Sequence, residues 1–170
     1  NNPPLYFVLM KVWGTLVPLD AAWWRVPSAI FSALAVWPLY LIGRHFGGTK
    51  TALVAALLFT LTNYHFGFAH EVRAYALFTL LAVWSMWLLI RDVGKAAGSR
   101  STLILLAIAN VLLVYTHFFG WLMIGVQALC VLLIQEYRQL GRTFLIALAA
   151  AVVSYLPYAP IFWGRMSQSV

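Results

Sequence analysis

Long apolar stretches separated by short turns occupy most of this chain. Six of them are close to the length of a helix that crosses a bilayer, for which about 20 residues are needed. Their predicted bounds are residues 26–43, 51–68, 73–90, 101–117, 119–135 and 143–163. Glycines mark several of the turns between them, as in Phe46-Gly47-Gly48 and Phe118-Phe119-Gly120. The pattern therefore predicts an all-α, polytopic membrane helix bundle with about six transmembrane helices.

A shorter apolar segment precedes the first of these runs. Residues 3–17 contain Lys11 and Gly14 and are followed by Pro18, so the segment is too short to span a bilayer comfortably. Tyr6, Trp13 and Lys11 are residue types that suit the boundary between lipid and water. We therefore predict an N-terminal helix that lies along the membrane interface.

Composition supports the membrane assignment and excludes other classes. The chain is 64% hydrophobic and 9% charged, which is more apolar surface than a soluble domain of 170 residues could bury. The net charge of +7 comes from basic residues scattered singly at the ends of apolar runs, so no nucleic-acid partner is predicted. We expect residues 1–170 to be a single transmembrane domain, and a fragment of a longer protein because the first residue is Asn1.

The basic residues predict the orientation of the bundle. One set of turns holds Arg44, Lys50, Arg91, Lys95, Arg100, Arg138 and Arg142, and the other side holds Lys11, Arg25, Arg73 and Arg165. Seven basic residues against four places the first set in the cytoplasm. The second side, in the periplasm or the cell exterior, then collects the polar residues Asn1, Asp20, His65, His70, Glu71, Arg73, Tyr75 and His117. This convergence predicts a functional site on the outer face.

Arg73 is the first candidate within that group. A guanidinium is always charged and presents a planar fork of donors to phosphate or carboxylate groups, so Arg73 is suited to bind a lipid phosphate. The alternative is that Arg73 extends toward water and pairs with Glu71. In a regular helix Glu71 would share a face with Tyr75 instead, so a direct pair with Arg73 requires a non-helical start to this segment. The sequence leaves both interpretations open.

Glu71 and His117 are the remaining candidates for chemistry. Glu71 could act as a general base, as a metal ligand or as the partner of Arg73. A carboxylate and an imidazole can bind Zn²⁺ or Mn²⁺, but no HExxH motif or similar ligand spacing is present. A hydrogen-bonded interfacial histidine is the simpler interpretation of His117. Asp20 precedes a predicted helix, and a role as its N-cap is sufficient to explain it.

Few polar side chains lie deep inside the apolar runs. Asn63 and Asn110 are the deepest, and hydrogen bonds between helices would account for them. No carboxylate or lysine occurs at the middle of a run, which argues against a proton-coupled transporter. The chain also lacks a Walker loop, a GxGxxG fingerprint and a GxSxG nucleophile elbow.

Five short motifs occur in an order that resembles a known family. They are Asn2-Pro3-Pro4-Leu5-Tyr6-Phe7, Arg25-Val26-Pro27-Ser28-Ala29, Gly43-Arg44, His70-Glu71-Val72-Arg73-Ala74-Tyr75-Ala76-Leu77 and Tyr115-Thr116-His117-Phe118-Phe119. Across nearly its whole length the chain resembles the bacterial dolichyl-phosphate-mannose-protein mannosyltransferase-like proteins of the GT-C superfamily. These are similar to the aminoarabinose transferases that act on lipid A and to protein O-mannosyltransferases.

The resemblance implies a function in the cell envelope. Such proteins transfer a sugar from a polyprenyl-phosphate donor to a protein, lipid or glycan acceptor, at the outer face of the cytoplasmic (inner) membrane. It implies that Arg73, Tyr75 and His117 bind the donor phosphate and that Glu71 is a polar or metal-linked partner. Asn2, Tyr6 and His70 would form the wall of the site.

The chain also departs from the family pattern. The family's catalytic aspartate precedes the Pro-Pro motif, whereas Asp20 follows it and does not match. We therefore expect that aspartate to lie upstream of Asn1, and Glu71 is the catalytic candidate within the chain. The alternative function is a non-catalytic membrane subunit or a transporter fragment, in which Glu71 and Arg73 form a structural pair. The possible cofactor is a divalent metal ion held by Glu71 and His117.

Overall fold

The structure is a computed structural model that describes residues 3–18, 20–62, 67, 70–93, 99–158 and 160. Its helices are α1 (Leu5–Gly14), α2 (Ala21–Leu61), α3 (Tyr75–Ile90), α4 (Arg100–Thr116), α5 (Gly120–Leu133) and α6 (Gly141–Tyr155). A 3₁₀ helix, Gln135–Leu140, joins α5 to α6. No strand occurs in the described residues, so the predicted all-α class is confirmed for them.

Helix α2 is a helical hairpin and not a straight rod. Gly48 interrupts it with φ 74°, a left-handed conformation that glycine adopts without steric cost. A Cβ added to Gly43 would lie 2.9 Å from the Cα of Ala52, although nine residues of straight helix would separate them by about 13 Å. The arms 21–47 and 49–61 therefore run back along each other. This confirms the turn predicted at Phe46-Gly47-Gly48.

Helices α3 to α6 coincide with predicted apolar runs and have 14 to 17 residues. Helix α4 is as long as its predicted run, and the other three are shorter than theirs. Among the described helices, α2 alone contains an 18-residue window that is apolar enough to cross a membrane, with a mean hydropathy of 1.6. A second candidate span is α5 taken with the segment Gln135–Tyr155, although the two are bent by 114°. Parts of the predicted runs 51–68 and 143–163 lie outside the described residues. The number of six transmembrane helices is not confirmed and stays a prediction.

Many large apolar side chains are exposed on the surface, and several polar side chains are buried within an otherwise apolar core. Large exposed apolar side chains include Trp37, Leu53, Leu58, Leu122, Leu132, Leu145 and Val153. Several polar side chains are buried instead, among them Ser28, Ser32, Ser85, Thr102, Asn110 and Gln127. An extensive exposed apolar surface marks contact with lipid or with another protein. It fits a protein embedded in a membrane.

A buried network of polar side chains connects three helices. The Gln127 amide donates to Ser85 Oγ at 2.9 Å and to Asn110 Oδ1 at 3.2 Å, and Asn110 Nδ2 donates to Gln127 Oε1 at 2.9 Å. All three residues are fully buried. The prediction that Asn110 hydrogen-bonds between helices is confirmed, whereas Asn63 lies outside the described residues. The network holds α3, α4 and α5 in one register.

Helix α1 has ten residues and would extend about 15 Å, which is too short to cross a bilayer. Its buried face consists of Tyr6 and Met10, which form an apolar cluster with Ala74 and Leu77 at the start of α3. Its other face exposes the apolar side chains Phe7, Val8 and Val12. The helix is shorter than the predicted segment 3–17, and its position along the membrane interface stays a prediction.

Candidate functional site

The segment that enters α3 is not helical. Residues 71–73 form a bend, and the helix begins at Tyr75. This geometry brings Arg73 Nε to 3.9 Å from Glu71 Oε2, so the direct pair forms with the non-helical start that it requires. The side chains of Arg73 and Glu71 are 67% and 48% exposed. An exposed ion pair contributes about 0–1 kcal/mol to the free energy of unfolding, so this pair restrains the guanidinium only weakly.

His117 follows the last residue of α4 and is almost completely buried, with 5% of its surface exposed. Its Nδ1 accepts a hydrogen bond from the backbone N–H of Phe119 at 3.2 Å. Because Nδ1 accepts, the neutral ring carries its proton on Nε2. A charged ring would lose its hydration at this buried position, so burial favours the neutral imidazole.

Aromatic rings surround this imidazole. Their centroids lie 5.8 Å away for Tyr75, 5.6 Å for Phe78, 5.0 Å for Phe118 and 4.9 Å for Phe119. Tyr75 and Phe78 come from the first turn of α3, and the other two rings come from the loop between α4 and α5. His117 and Tyr75, which the family resemblance assigns to one site, thus lie together although they come from different parts of the chain. Together these rings form the aromatic cage of His117.

A tight turn between α4 and α5 positions the cage. The Gly120 N–H donates to the carbonyl of His117 at 2.8 Å. A Cβ added to Gly120 would lie 2.7 Å from the carbonyl oxygen of Leu113, so a larger residue could not make this close approach. The turn predicted at Phe118-Phe119-Gly120 is confirmed, and glycine is required there because the backbone passes so near to α4.

The predicted wall residues have different positions. Tyr6 is buried, and its hydroxyl lies 3.4 Å from Ser28 Oγ on α2. Its ring packs in the apolar cluster that contains Ala74 and Leu77 at the start of α3. His70 is exposed beside Glu71, and Asn2 lies outside the described residues. Asp20 caps α2 by accepting the backbone N–H of Ala22 at 2.7 Å, which confirms its capping role. The functional assignments of these residues stay predictions.

The described residues do not assemble a metal site. No group of three or more His, Cys, Asp or Glu side chains that could hold an ion occurs among them. Glu71 pairs with Arg73, and His117 uses Nδ1 as an acceptor inside its aromatic cage. Metal binding by Glu71 and His117 stays a prediction, and no chemical step is assigned to a metal.

Sequence reasoning missed the residues that bury His117. Phe78 lies one helical turn after Tyr75, so both rings face the same direction on α3. That spacing of three residues is visible in the sequence and could have identified the aromatic face. Phe119 contributes both a ring and the N–H that His117 accepts, which nothing in the local pattern indicates.

An apolar groove lies between α2 and α3, further along α3 from the site. Its volume is about 350 Å³, and its lining consists of Leu34, Trp37, Leu80, Leu81 and Trp84. Leu80 and Trp84 follow Tyr75 by five and nine residues, which corresponds to about 8 and 14 Å along the helix. The groove therefore opens within the apolar part of the bundle, at a short distance from Arg73.

The chain matches the family described as dolichyl-phosphate-mannose-protein mannosyltransferase over residues 1–163. No curated protein matches the chain, and no solved structure does. The match covers α1 to α6 and therefore includes both the Glu71–Arg73 pair and the aromatic cage.

Proposed function

We propose a function from the premise that the chain belongs to the dolichyl-phosphate-mannose-protein mannosyltransferase family. The site at the start of α3 binds the phosphate of a lipid-linked sugar donor. Membership makes the chain part of a membrane glycosyltransferase. The finer proposal is that the donor is a polyprenyl-phosphate sugar. The acceptor is a protein, lipid or glycan, and transfer takes place at the outer face of the cytoplasmic membrane.

The exposure of Arg73 is the observation that carries this proposal. Two thirds of its side chain is accessible, and its one described ion pair is long and exposed. A guanidinium in this state keeps most of its donors available for a ligand, and phosphate matches its fork of donors. The position directly before an apolar helix suits a ligand with a charged head and an apolar tail.

The groove between α2 and α3 supports a polyprenyl chain as that tail. An isoprenoid chain is wholly apolar, and burying it against Leu34, Trp37 and Leu81 removes its surface from water or from less closely packed lipid. On α3 the groove begins at Leu80, about one and a half helical turns after Tyr75. A phosphate held at Arg73 would therefore leave its lipid chain pointing into the groove.

Tyr75 and His117 complete the proposed phosphate site. Tyr75 is half-buried at the first position of α3, and its ring packs at a tilt against the ring of His117, with the centroids 5.8 Å apart. The aromatic cage fixes this ring pair relative to the bend that carries Arg73. We assign to Tyr75 and to the Nε2–H of His117 the role of orienting the phosphate, with Arg73 supplying the charge.

The reaction requires two elements. A base removes the proton of the acceptor hydroxyl as its oxygen attacks the anomeric carbon of the sugar, and the bond from that carbon to the phosphate oxygen breaks. The phosphate leaves with increased negative charge, which Arg73 stabilises. Glu71 is the candidate base within the described residues.

Donor binding to the purified, folded full-length gene product tests the proposal. Charge-assisted hydrogen bonds are typically worth about 1.5–3 kcal/mol, so Arg73→Ala should weaken binding of a polyprenyl-phosphate sugar by about 10- to 150-fold. Arg73→Lys keeps the charge but loses the fork, so it should bind with intermediate affinity.

Arg25→Ala is the matched control, because Arg25 is an exposed cation near the start of α2 and is predicted to lie on the same side of the membrane. It should leave donor affinity unchanged. Equal affinity of wild type and Arg73→Ala would refute phosphate binding. It would favour the alternative of a non-catalytic subunit or transporter fragment with a structural Glu71–Arg73 pair.

The outer-face assignment is tested by cysteine labelling in intact cells. In a Cys130→Ala background, Val72→Cys beside the site should react with an impermeant maleimide. Thr49→Cys at the hairpin turn of α2 should react only after permeabilisation. Both positions are exposed, so the difference reports the side of the membrane. Labelling of position 49 and not of position 72 in intact cells would reverse the assignment.

A further inference from the structure

The turn of the α2 hairpin is an exposed surface that the proposed function does not use. Residues 44–50, called the basic tip below, are all exposed. They contain Arg44, His45, Phe46 and Lys50 and no acidic residue. Phe46 is 66% exposed, which is unusual for a large aromatic side chain between cations. The basic tip is therefore both positively charged and apolar.

The charges of the basic tip are not neutralised within the described part of the chain. The two described ion pairs involve Arg73 with Glu71 and Arg91 with Asp92, and neither Arg44 nor Lys50 takes part. The Asp92 carboxylate accepts the Ser99 backbone N–H at 2.9 Å, so it is committed to its own loop. The cations of the basic tip are available to an external anion.

The hairpin presents these side chains in a defined geometry. Gly48 adopts φ 74°, which makes the reversal tight, and Thr51 Oγ1 donates to the Gly47 carbonyl at 2.8 Å. The His45 ring packs edge-on against Trp87 at 6.3 Å and against Phe46 at 5.1 Å. Through His45 the basic tip therefore contacts the last turn of α3.

The contact with Trp87 also places the basic tip far from the donor site. Trp87 lies twelve residues after Tyr75, which corresponds to about 18 Å along α3. The two regions are at opposite ends of this helix. A ligand of the basic tip is therefore distinct from the sugar donor.

We propose that the basic tip docks on the headgroups of anionic phospholipids at the membrane surface. The phosphates of such lipids complement Arg44 and Lys50, and each basic residue near an anionic surface contributes about a fivefold preference for it. The exposed ring of Phe46 suits the boundary between headgroups and acyl chains. A nucleic acid would explain the charges but not an exposed phenyl ring, and the position of the basic tip at the end of an apolar hairpin favours lipid over a second protein.

The test uses the full-length gene product purified in detergent micelles with equal amounts of phosphatidylglycerol and phosphatidylcholine. The ratio of the two lipids that remain with the protein is measured by mass spectrometry. The double variant Arg44→Gln/Lys50→Gln should lower the enrichment of phosphatidylglycerol at least fivefold. The control variant Arg138→Gln/Arg142→Gln removes two cations around the 3₁₀ helix and should keep most of the enrichment.

The outcomes separate lipid docking from a general effect of charge and from a site for a free anion. An equal loss in both double variants would show that total charge at this end of the bundle attracts the lipid, and unchanged enrichment in the tip variant would show no docking. Each result overturns the proposal. Displacement of phosphatidylglycerol by millimolar inorganic phosphate would identify a site for the free anion and would also overturn it. Unchanged monodisperse elution confirms that each variant is folded.

Discussion

Two polar regions of this apolar chain show how differently the same kinds of side chain can be used. Ser85, Asn110 and Gln127 are fully buried and connected by hydrogen bonds of 2.9–3.2 Å. Glu71 and Arg73 are largely exposed and meet at 3.9 Å. The buried residues form hydrogen bonds with one another, whereas the exposed pair keeps most of its hydrogen-bond donors and acceptors available to a ligand.

The difference follows from the surroundings. In a low-dielectric interior an unpaired amide costs a desolvation penalty, so the buried network must be satisfied by the protein itself. At the end of a helix, water or a headgroup can satisfy the same groups at little cost, so the protein is not required to pair them. In this chain the buried polar network therefore stabilises the packing of the helices, whereas the exposed Glu71–Arg73 pair is available to a ligand.

The largest expected effect concerns turnover. Arg73→Ala should lower the rate of sugar transfer by the full-length gene product about 10²- to 10³-fold, since a charge that stabilises the leaving phosphate is lost. Turnover with a saturating polyprenyl-phosphate sugar, corrected for folded protein, measures it. Arg25→Ala is the control and should retain wild-type turnover. A change below threefold for Arg73→Ala would mean that the exposed pair has no part in the chemistry.

A smaller effect is expected inside the bundle. Gln127→Leu should lower the free energy of unfolding by about 1–3 kcal/mol, because Asn110 and Ser85 lose buried partners. Equilibrium unfolding in bicelles measures this change, and donor affinity per folded molecule should not move. Adding Asn110→Leu to Gln127→Leu should recover part of the stability, since both amides are then replaced by apolar groups. A further loss in the double variant would contradict the assigned pairing.

The smallest effect is expected at Glu71. Glu71→Gln removes the ion pair, and because both side chains are exposed the free energy of unfolding should change by less than about 0.5 kcal/mol. The same unfolding experiment measures it, with Arg25→Ala as a surface-charge control. If the free energy of unfolding falls by about 2 kcal/mol or more, the pair stabilises the fold. The exposed pair would then be structural, like the buried network.

Several features of the site were predictable from short segments. The turns at Phe46-Gly47-Gly48 and Phe118-Phe119-Gly120 follow from glycines between apolar runs, and the structure shows a positive φ at Gly48 and a close backbone approach at Gly120. The cap at Asp20 follows from its position before a helix. The non-helical start of α3 was identified as the condition for a Glu71–Arg73 pair, and the structure meets it.

The partners of the buried residues were not predictable in the same way. Asn110 could be assigned to an interhelical hydrogen bond, but its partner Gln127 is 17 residues away, and Ser85 is 42 residues from Gln127. The sequence allows His117 to be a ligand or an interfacial residue, and it does not identify the rings of the aromatic cage as its neighbours. Each of these contacts joins side chains from different helices or from the turns between them.

The sequence by itself determined the helical class, the main turns and the places where polar residues interrupt apolar runs, because these depend on local composition and on glycine. Only the tertiary structure decided which polar side chains meet. Helices that are apolar on all sides carry little amphipathic signal to specify their rotation about their own axes. Close packing and buried hydrogen bonds choose that rotation, and with it they bury His117 and Gln127 while Arg73 stays exposed.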